Sequence, residues 1–251
     1  MTVTNEQITD YLISVAPKQI EAIFQTGSRL NGLAVDDTDY DLMVITRPFV
    51  DPNDFVSDRA YSKEARYLPE ATGFANELQV KYYDARKLYQ LIIKSNPNML
   101  YVLYRKPIYL AKNDETAELF NELFDNLELL SSINKTQFFN ALKGQFNRQK
   151  NMQFADNPKR YNKALIQSLK FLHYAEDLLV ADKLSTIDFA DNQEMMDIKQ
   201  HLTTDYVNLS KGVLVRLQKL SQVDVPAIDP EKEAQILEIF VKYFRKSAGN
   251  G

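Results

Sequence analysis

The stretch GSRLNGLAVDDTDYDLMVI, Gly27 to Ile45, constrains the fold more than any other part of the chain. It couples a Gly-Ser turn to Tyr40–Thr46 (YDLMVIT), a short apolar run that fits a buried β-strand. Side chains alternate along a strand, so Asp39 and Asp41 leave the same face. Two adjacent carboxylates repel each other unless a cation sits between them. Mg²⁺ is usually held by one or two carboxylates, with substrate phosphates completing its shell. The turn supplies what phosphates need: Gly27 permits close approach of the backbone, and N–H groups with the Ser28 hydroxyl are donors. Together they point to metal-assisted chemistry on a nucleoside triphosphate.

Each piece alone has a plainer reading. Gly-Ser is a common turn, and Asp-x-Asp is common in acidic loops such as this one, which also carries Asp36 and Asp37. Asp37, Asp39 and Asp41 also fit positions one, three and five of an EF-hand. Leu42 replaces its glycine and Pro48 its glutamate, which excludes that reading.

Composition removes other chemistries. With no Cys and only His173 and His201, neither disulfides, thiolate sites nor a His-rich zinc site can form. The start MTVTNEQITDYL lacks the basic and apolar regions of a signal peptide, and no apolar run approaches a membrane span of about 20 residues. A cytoplasmic protein with no membrane partner is expected. The net charge is −4, yet Lys135 to Lys170 holds eight basic residues against one acidic, Asp156. That local excess is either a solvated helix face or a surface for phosphates or nucleic acid.

Periodicity divides the chain. Residues 4–17 read as a helix capped by Thr4. Strands are expected at 21–26, 40–46 and 76–83 (NELQVKYY), with irregular chain from Arg47 to Gly73, where Pro48, Pro52 and Pro69 fall. Asp84 to Ser95 is amphipathic, stops at Asn96-Pro97, and precedes a short helix and an extended KPIYL. From Asp114 to about Asp182 the pattern is helical with a break at Asn157-Pro158, and helices follow at 193–200, 204–222 and 230–247. The expected plan is α+β, with a small mixed sheet in residues 1–112 and an all-α part in 113–251. Lys159, Lys163, Gln167 and Lys170 share one helix face, while Leu165, Leu169 and Leu172 form a core stripe.

Three segments carry a family resemblance: GSRLNGLAVDDTDYDL; VKYYDARKLYQLIIKSNPNML, with Lys87 and the Asn96-Pro97-Asn98 turn; and RYNKALIQSLKFLHYAEDLL, with Lys163 and Lys170. In this order they resemble nucleotidyltransferases of the DNA polymerase beta superfamily, and within it the RNA-repair-associated polymerase beta family of bacteria and phages. The resemblance spans about residues 20–180. It implies a polymerase-beta-type catalytic domain followed by a helical domain. Three carboxylates would hold two Mg²⁺ for in-line transfer of a nucleoside monophosphate to an acceptor hydroxyl. Asp39 and Asp41 are the first two ligands, and Glu77 is the best candidate for the third. The implied nucleotide contacts are Gly27, Ser28, Arg29, Lys81, Lys163 and Lys170. The partners would be a nucleoside triphosphate and an acceptor: an RNA end, a protein or a small molecule.

Two positions depart from the pattern. Gln79 stands where part of the family carries an acid, and Tyr101 where a Glu often follows the Asn-Pro-Asn turn. They keep a second reading open: a non-catalytic nucleotide- or RNA-binding module, or a toxin–antitoxin-like component, on the same fold. Tyr82, Tyr83 and Tyr161 could stack on a base, although core packing is their plainer role, and His173 reads as a structural helix residue.

Overall fold

In the computed structural model, residues 3–16, 19–35, 38–47, 61–132, 135–180, 189, 192–201, 205–223 and 229–249 are described. Asp36, Asp37, Pro48 and Pro52, which entered the loop readings above, lie outside them. Helix α1 (Asn5–Val15) opens with a capping box in which the Thr4 hydroxyl accepts from the Gln7 N–H. Strand β1 (Ile20–Gln25), the single helical turn α2 (Gly27–Leu30) and strand β2 (Tyr40–Thr46) follow.

An unexpected strand, β3 (Ser62–Tyr67), falls where irregular chain was expected. Its sequence, SKEARY, has no apolar alternation, because it is an exposed edge strand held by antiparallel pairing to β4 (Leu78–Asp84). Charged side chains on an edge also discourage pairing with other chains. Between them lies α3 (Pro69–Thr72). After β4 come α4 (Ala85–Ile93), capped by Asp84, α5 (Pro97–Leu103), capped by Asn96, and β5 (Tyr109–Leu110).

The sheet order is β3-β4-β2-β1-β5, with β2 and β4 parallel and the other pairs antiparallel. Parity assigns its two faces. Leu42, Val44, Leu78, Val80 and Tyr82 pack with Ile8 and Leu12 of α1. Ala22, Phe24, Met43 and Ile45 face the other way and join the helical core. Asp41 shares the parity of Met43 and Ile45, so the alternation aims it towards the helices.

Those helices are α6 (Asp114–Asp125), α7 (Leu127–Ser132), α8 (Lys135–Lys150), α9 (Pro158–Val180), α10 (Gln193–Lys199), α11 (Tyr206–Ser221) and α12 (Pro230–Gly249). The expected break at Asn157-Pro158 is real: α9 begins at Pro158, the position where proline's missing N–H costs nothing. Leu165, Leu169 and Leu172 are buried, as their stripe predicts. One apolar cluster runs from the sheet through α4–α6 to Ile236 and Tyr243 of α12, crossing the expected boundary near residue 112. A buried polar contact also ties β1 to α6, where Thr116 donates to the carboxylate of the bulged residue Glu21. Among the described residues, no helix is long and apolar enough to cross a membrane.

Candidate active site

A cavity of about 810 Å³ opens between the sheet and α9–α10. Gly27, Ser28, Thr38, Asp39, Asp41 and Gln79 line its sheet side; Lys159, Lys163, Gln167, Lys170 and Lys199 line its helical side. The four α9 positions that share a face in the sequence therefore all reach the cavity.

The Gly-Ser turn is fixed by its contact with β2. The Thr26 N–H donates to the Asp41 carbonyl at 2.8 Å, and the Asn31 amide donates to the Gly27 carbonyl at 2.6 Å. Gly27 has φ +65°, and a methyl group on it would lie 2.0 Å from Asp41 Oδ2. The room that glycine leaves is thus taken by the Asp41 carboxylate. Ser28 is engaged from the helical side, where Lys199 Nζ donates to its hydroxyl at 3.3 Å.

Charge defines the rest of the site. Burial raises the Asp41 pKa and neighbouring Asp39 raises it further, while Lys163, Lys81 and Lys199 oppose the shift. Lys170 is 9% exposed. Burial lowers its pKa to about 8, Lys199 adds to the lowering, and Asp41 opposes it. The cavity therefore sets a pair of repelling carboxylates on one wall and lysines on the other.

Several expected roles change. Glu77 does not join the aspartates: its Oε1 lies 3.7 Å from Arg66 Nε on β3, and Glu77 does not line the cavity. Gln79 takes the position beside the pair, because parallel pairing sets it directly opposite Asp41, and its Nε2 donates to Asp39 Oδ2 at 3.1 Å. Arg29 does not reach into the cavity. Its guanidinium donates to the Thr38 and Asp39 carbonyls at 2.5 and 3.3 Å and stacks 3.8 Å over the Tyr40 ring, so it holds the aspartate loop in place. Lys81 lies outside the lining, 3.4 Å from Glu64, and acts on Asp41 only through its field. Tyr82 and Tyr161 are buried, Tyr82 bonded to the Tyr67 hydroxyl at 2.9 Å, so neither offers a face to a base. Tyr101 is a core residue packed on Tyr174 and Phe189, and His173 packs on Phe189.

Lys199, Asn162 and His201 were not legible as site residues. Lys199 closes α10 far along the chain from any motif, and His201 follows in a left-handed conformation, φ 60°. The Asn162 amide bonds the His201 ring at 2.9 Å, joining α9 to the end of α10 at the cavity rim.

Asp39 and Asp41 suit one hard divalent cation shared with phosphate oxygens. Among the described residues, no group of three His, Asp or Glu side chains is placed to hold a metal, so no described third carboxylate joins Asp39 and Asp41.

A carboxylate pair at the start of a central strand, with a Gly-Ser turn pressed against it, thus faces a basic helical wall across one cavity. The chain belongs to the RNA repair pathway DNA polymerase beta family, whose model matches residues 12–219. The chain is also similar to a nucleotidyltransferase-like protein from Exiguobacterium sibiricum 255-15, at 19% identity over 87% of this chain and 75% of that one. The TM-score of 0.34 is too loose to transfer any residue's role. No curated protein matches the chain.

Proposed function

We propose that the chain binds a nucleoside triphosphate in the cavity and transfers its nucleoside monophosphate to an acceptor hydroxyl, releasing pyrophosphate. The observation that carries this reading is the facing of Asp39 and Asp41 by Lys163, Lys170 and Lys199 across one cavity. Lysines alone would attract any anion, and carboxylates alone would repel one. Both together suit an anion that arrives with a divalent cation, as a triphosphate does. Asp39 and Asp41 would hold Mg²⁺, which when bound neutralises phosphoryl oxygens and acidifies a coordinated hydroxyl.

The chain's own groups do the remaining work. Lys163, Lys170 and Lys199 hold the phosphates and offset the negative charge that builds on the departing pyrophosphate. Lys199 and Arg29 keep the Ser28 turn and the aspartate loop in place. In the transfer, the acceptor oxygen bonds to the α-phosphorus and the bond to the pyrophosphate oxygen breaks. The hydroxyl proton leaves with the carboxylate pair as its first acceptor. An RNA end is the favoured acceptor class, supported by the family's description and by exposed Lys143, Arg148, Lys150 and Arg160 on α8 and α9.

Gln79 favours a second reading, nucleotide binding without transfer, because it puts an amide beside Asp39 and Asp41 where the family resemblance calls for an acid. The test is incubation with each α-labelled triphosphate, Mg²⁺ and pooled cellular RNA and protein. Label on RNA that disappears in Asp41→Asn supports transfer. Saturable triphosphate binding with no label on any acceptor supports the second reading.

A further inference from the structure

We infer that this site takes a single divalent cation, the one that accompanies the triphosphate, and that Gln79 with the lysine wall replaces the second. The inference rests on the triphosphate-binding reading and deepens it.

Two divalent cations a few ångströms apart repel with four times the energy of two unit charges at that distance. They persist only where carboxylates bridge and surround them. Among the described residues, that charge is missing. Glu77 sits outside the cavity lining, with its Oε1 3.7 Å from Arg66 Nε. Gln79 stands opposite Asp41 in the strand register and is neutral. Its amide NH₂ faces Asp39, with Nε2 donating to Oδ2 at 3.1 Å. An N–H donor with partial positive charge therefore occupies the ground beside Asp39 where a second cation would need an oxygen.

The charge that a second cation would bring is supplied from the helices. Lys163, Lys170 and Lys199 line the same cavity as Asp39 and Asp41. A fixed ammonium neutralises phosphate as a point charge without needing carboxylates of its own. Adding a second cation to two carboxylates, three lysines and an amide donor would overcharge the site.

Mn²⁺ counting tests this. The full-length protein is saturated with whichever of the four α,β-methylene nucleoside triphosphates binds tightest. Bound nucleotide is measured by equilibrium dialysis, and bound Mn²⁺ by loss of the free-ion paramagnetic resonance signal in the same cells. The expected ratio is one Mn²⁺ per bound nucleotide in the wild type and in Gln79→Ala, and two in Gln79→Glu. The neutral Ala variant separates charge from the lost hydrogen bond. Two Mn²⁺ per nucleotide in the wild type or in Gln79→Ala overturns the inference while leaving triphosphate binding intact. A ratio of one in folded Gln79→Glu removes Gln79 as the cause. No bound nucleotide at all overturns the binding reading and the inference with it. Should Gln79→Glu fail to fold, the wild-type count still decides between one cation and two.

Discussion

Gly27→Ala should damage both stability and binding, through a single contact. The backbone at Gly27 has φ +65°, which costs an L-residue about 1–2 kcal/mol. The new methyl would also lie 2.0 Å from Asp41 Oδ2, 2.7 Å from its Cγ and 2.8 Å from its Cβ, so the Asp41 carboxylate must swing away and the backbone must give to relieve the Cβ contact. Forcing a short side chain off its rotamer adds roughly 0.5–1.5 kcal/mol. The expected loss is therefore about 1.5–3.5 kcal/mol, read as a lower urea midpoint with an unchanged slope. Because part of that loss is the collision with Asp41, it should shrink by about 1 kcal/mol in an Asp41→Ala background, giving a measurable coupling in a double-mutant cycle. Asp41→Ala alone should cost little stability, since burial and Asp39 both disfavour the charge it removes. Displacing Asp41 should also weaken Mg²⁺-dependent triphosphate binding by tenfold or more, about 1.4 kcal/mol. A Gly27→Ala protein with wild-type midpoint, or an equal loss in both backgrounds, would refute the claim that the glycine exists to admit the carboxylate.

The other expectations concern charge. Lys170 has a folded-state pKa lowered to about 8 from 10.5, so between those values the native chain binds fewer protons than the unfolded one. Its contribution to stability accordingly rises with pH through that window, by at most about 1.4 kcal/mol per pH unit. Lys170→Met should remove that slope and stabilise the protein at neutral pH while weakening triphosphate binding, as paired denaturation curves at pH 7 to 10 and calorimetry can check. Lys163→Ala should lower triphosphate affinity by about 1–3 kcal/mol with little change in folding. If it leaves that affinity intact and only flattens the salt dependence of RNA binding, Lys163 serves the acceptor instead. Thr116→Val should strip the buried Glu21 carboxylate of a donor and cost about 1–3 kcal/mol, seen as a lower melting temperature.

What the sequence made legible followed from strong local signals. YDLMVIT reads as a strand because its burial is nearly continuous, and α9 reads correctly because Pro158 starts it and its leucines and lysines separate by face. β3 was missed because an exposed edge strand has no apolar period; only its pairing with β4 makes it a strand. At the site, Asp39, Asp41 and the α9 lysines could be placed by parity and helical spacing. Glu77 could not, because its fate is set by Arg66, a residue on the missed strand. Lys199 escaped for a different reason: no local pattern relates residue 199 to Ser28, and only tertiary packing brings them to 3.3 Å.

That separation along the chain bears on how the molecule is made. A ribosome releases Asp39 and Asp41 well before Lys163, Lys170 and Lys199 emerge, and N-terminal segments fold first as they appear. Until α9 arrives, the sheet face bearing Ala22, Phe24, Met43 and Ile45 lacks the leucines that complete its cluster. A prematurely terminated product would carry an acidic lip with no basic wall and a bare apolar face, a surface that chaperones and proteases engage. If the cavity captures a nucleotide as proposed, only a chain translated past α10 can do so, because Lys199 closes that helix.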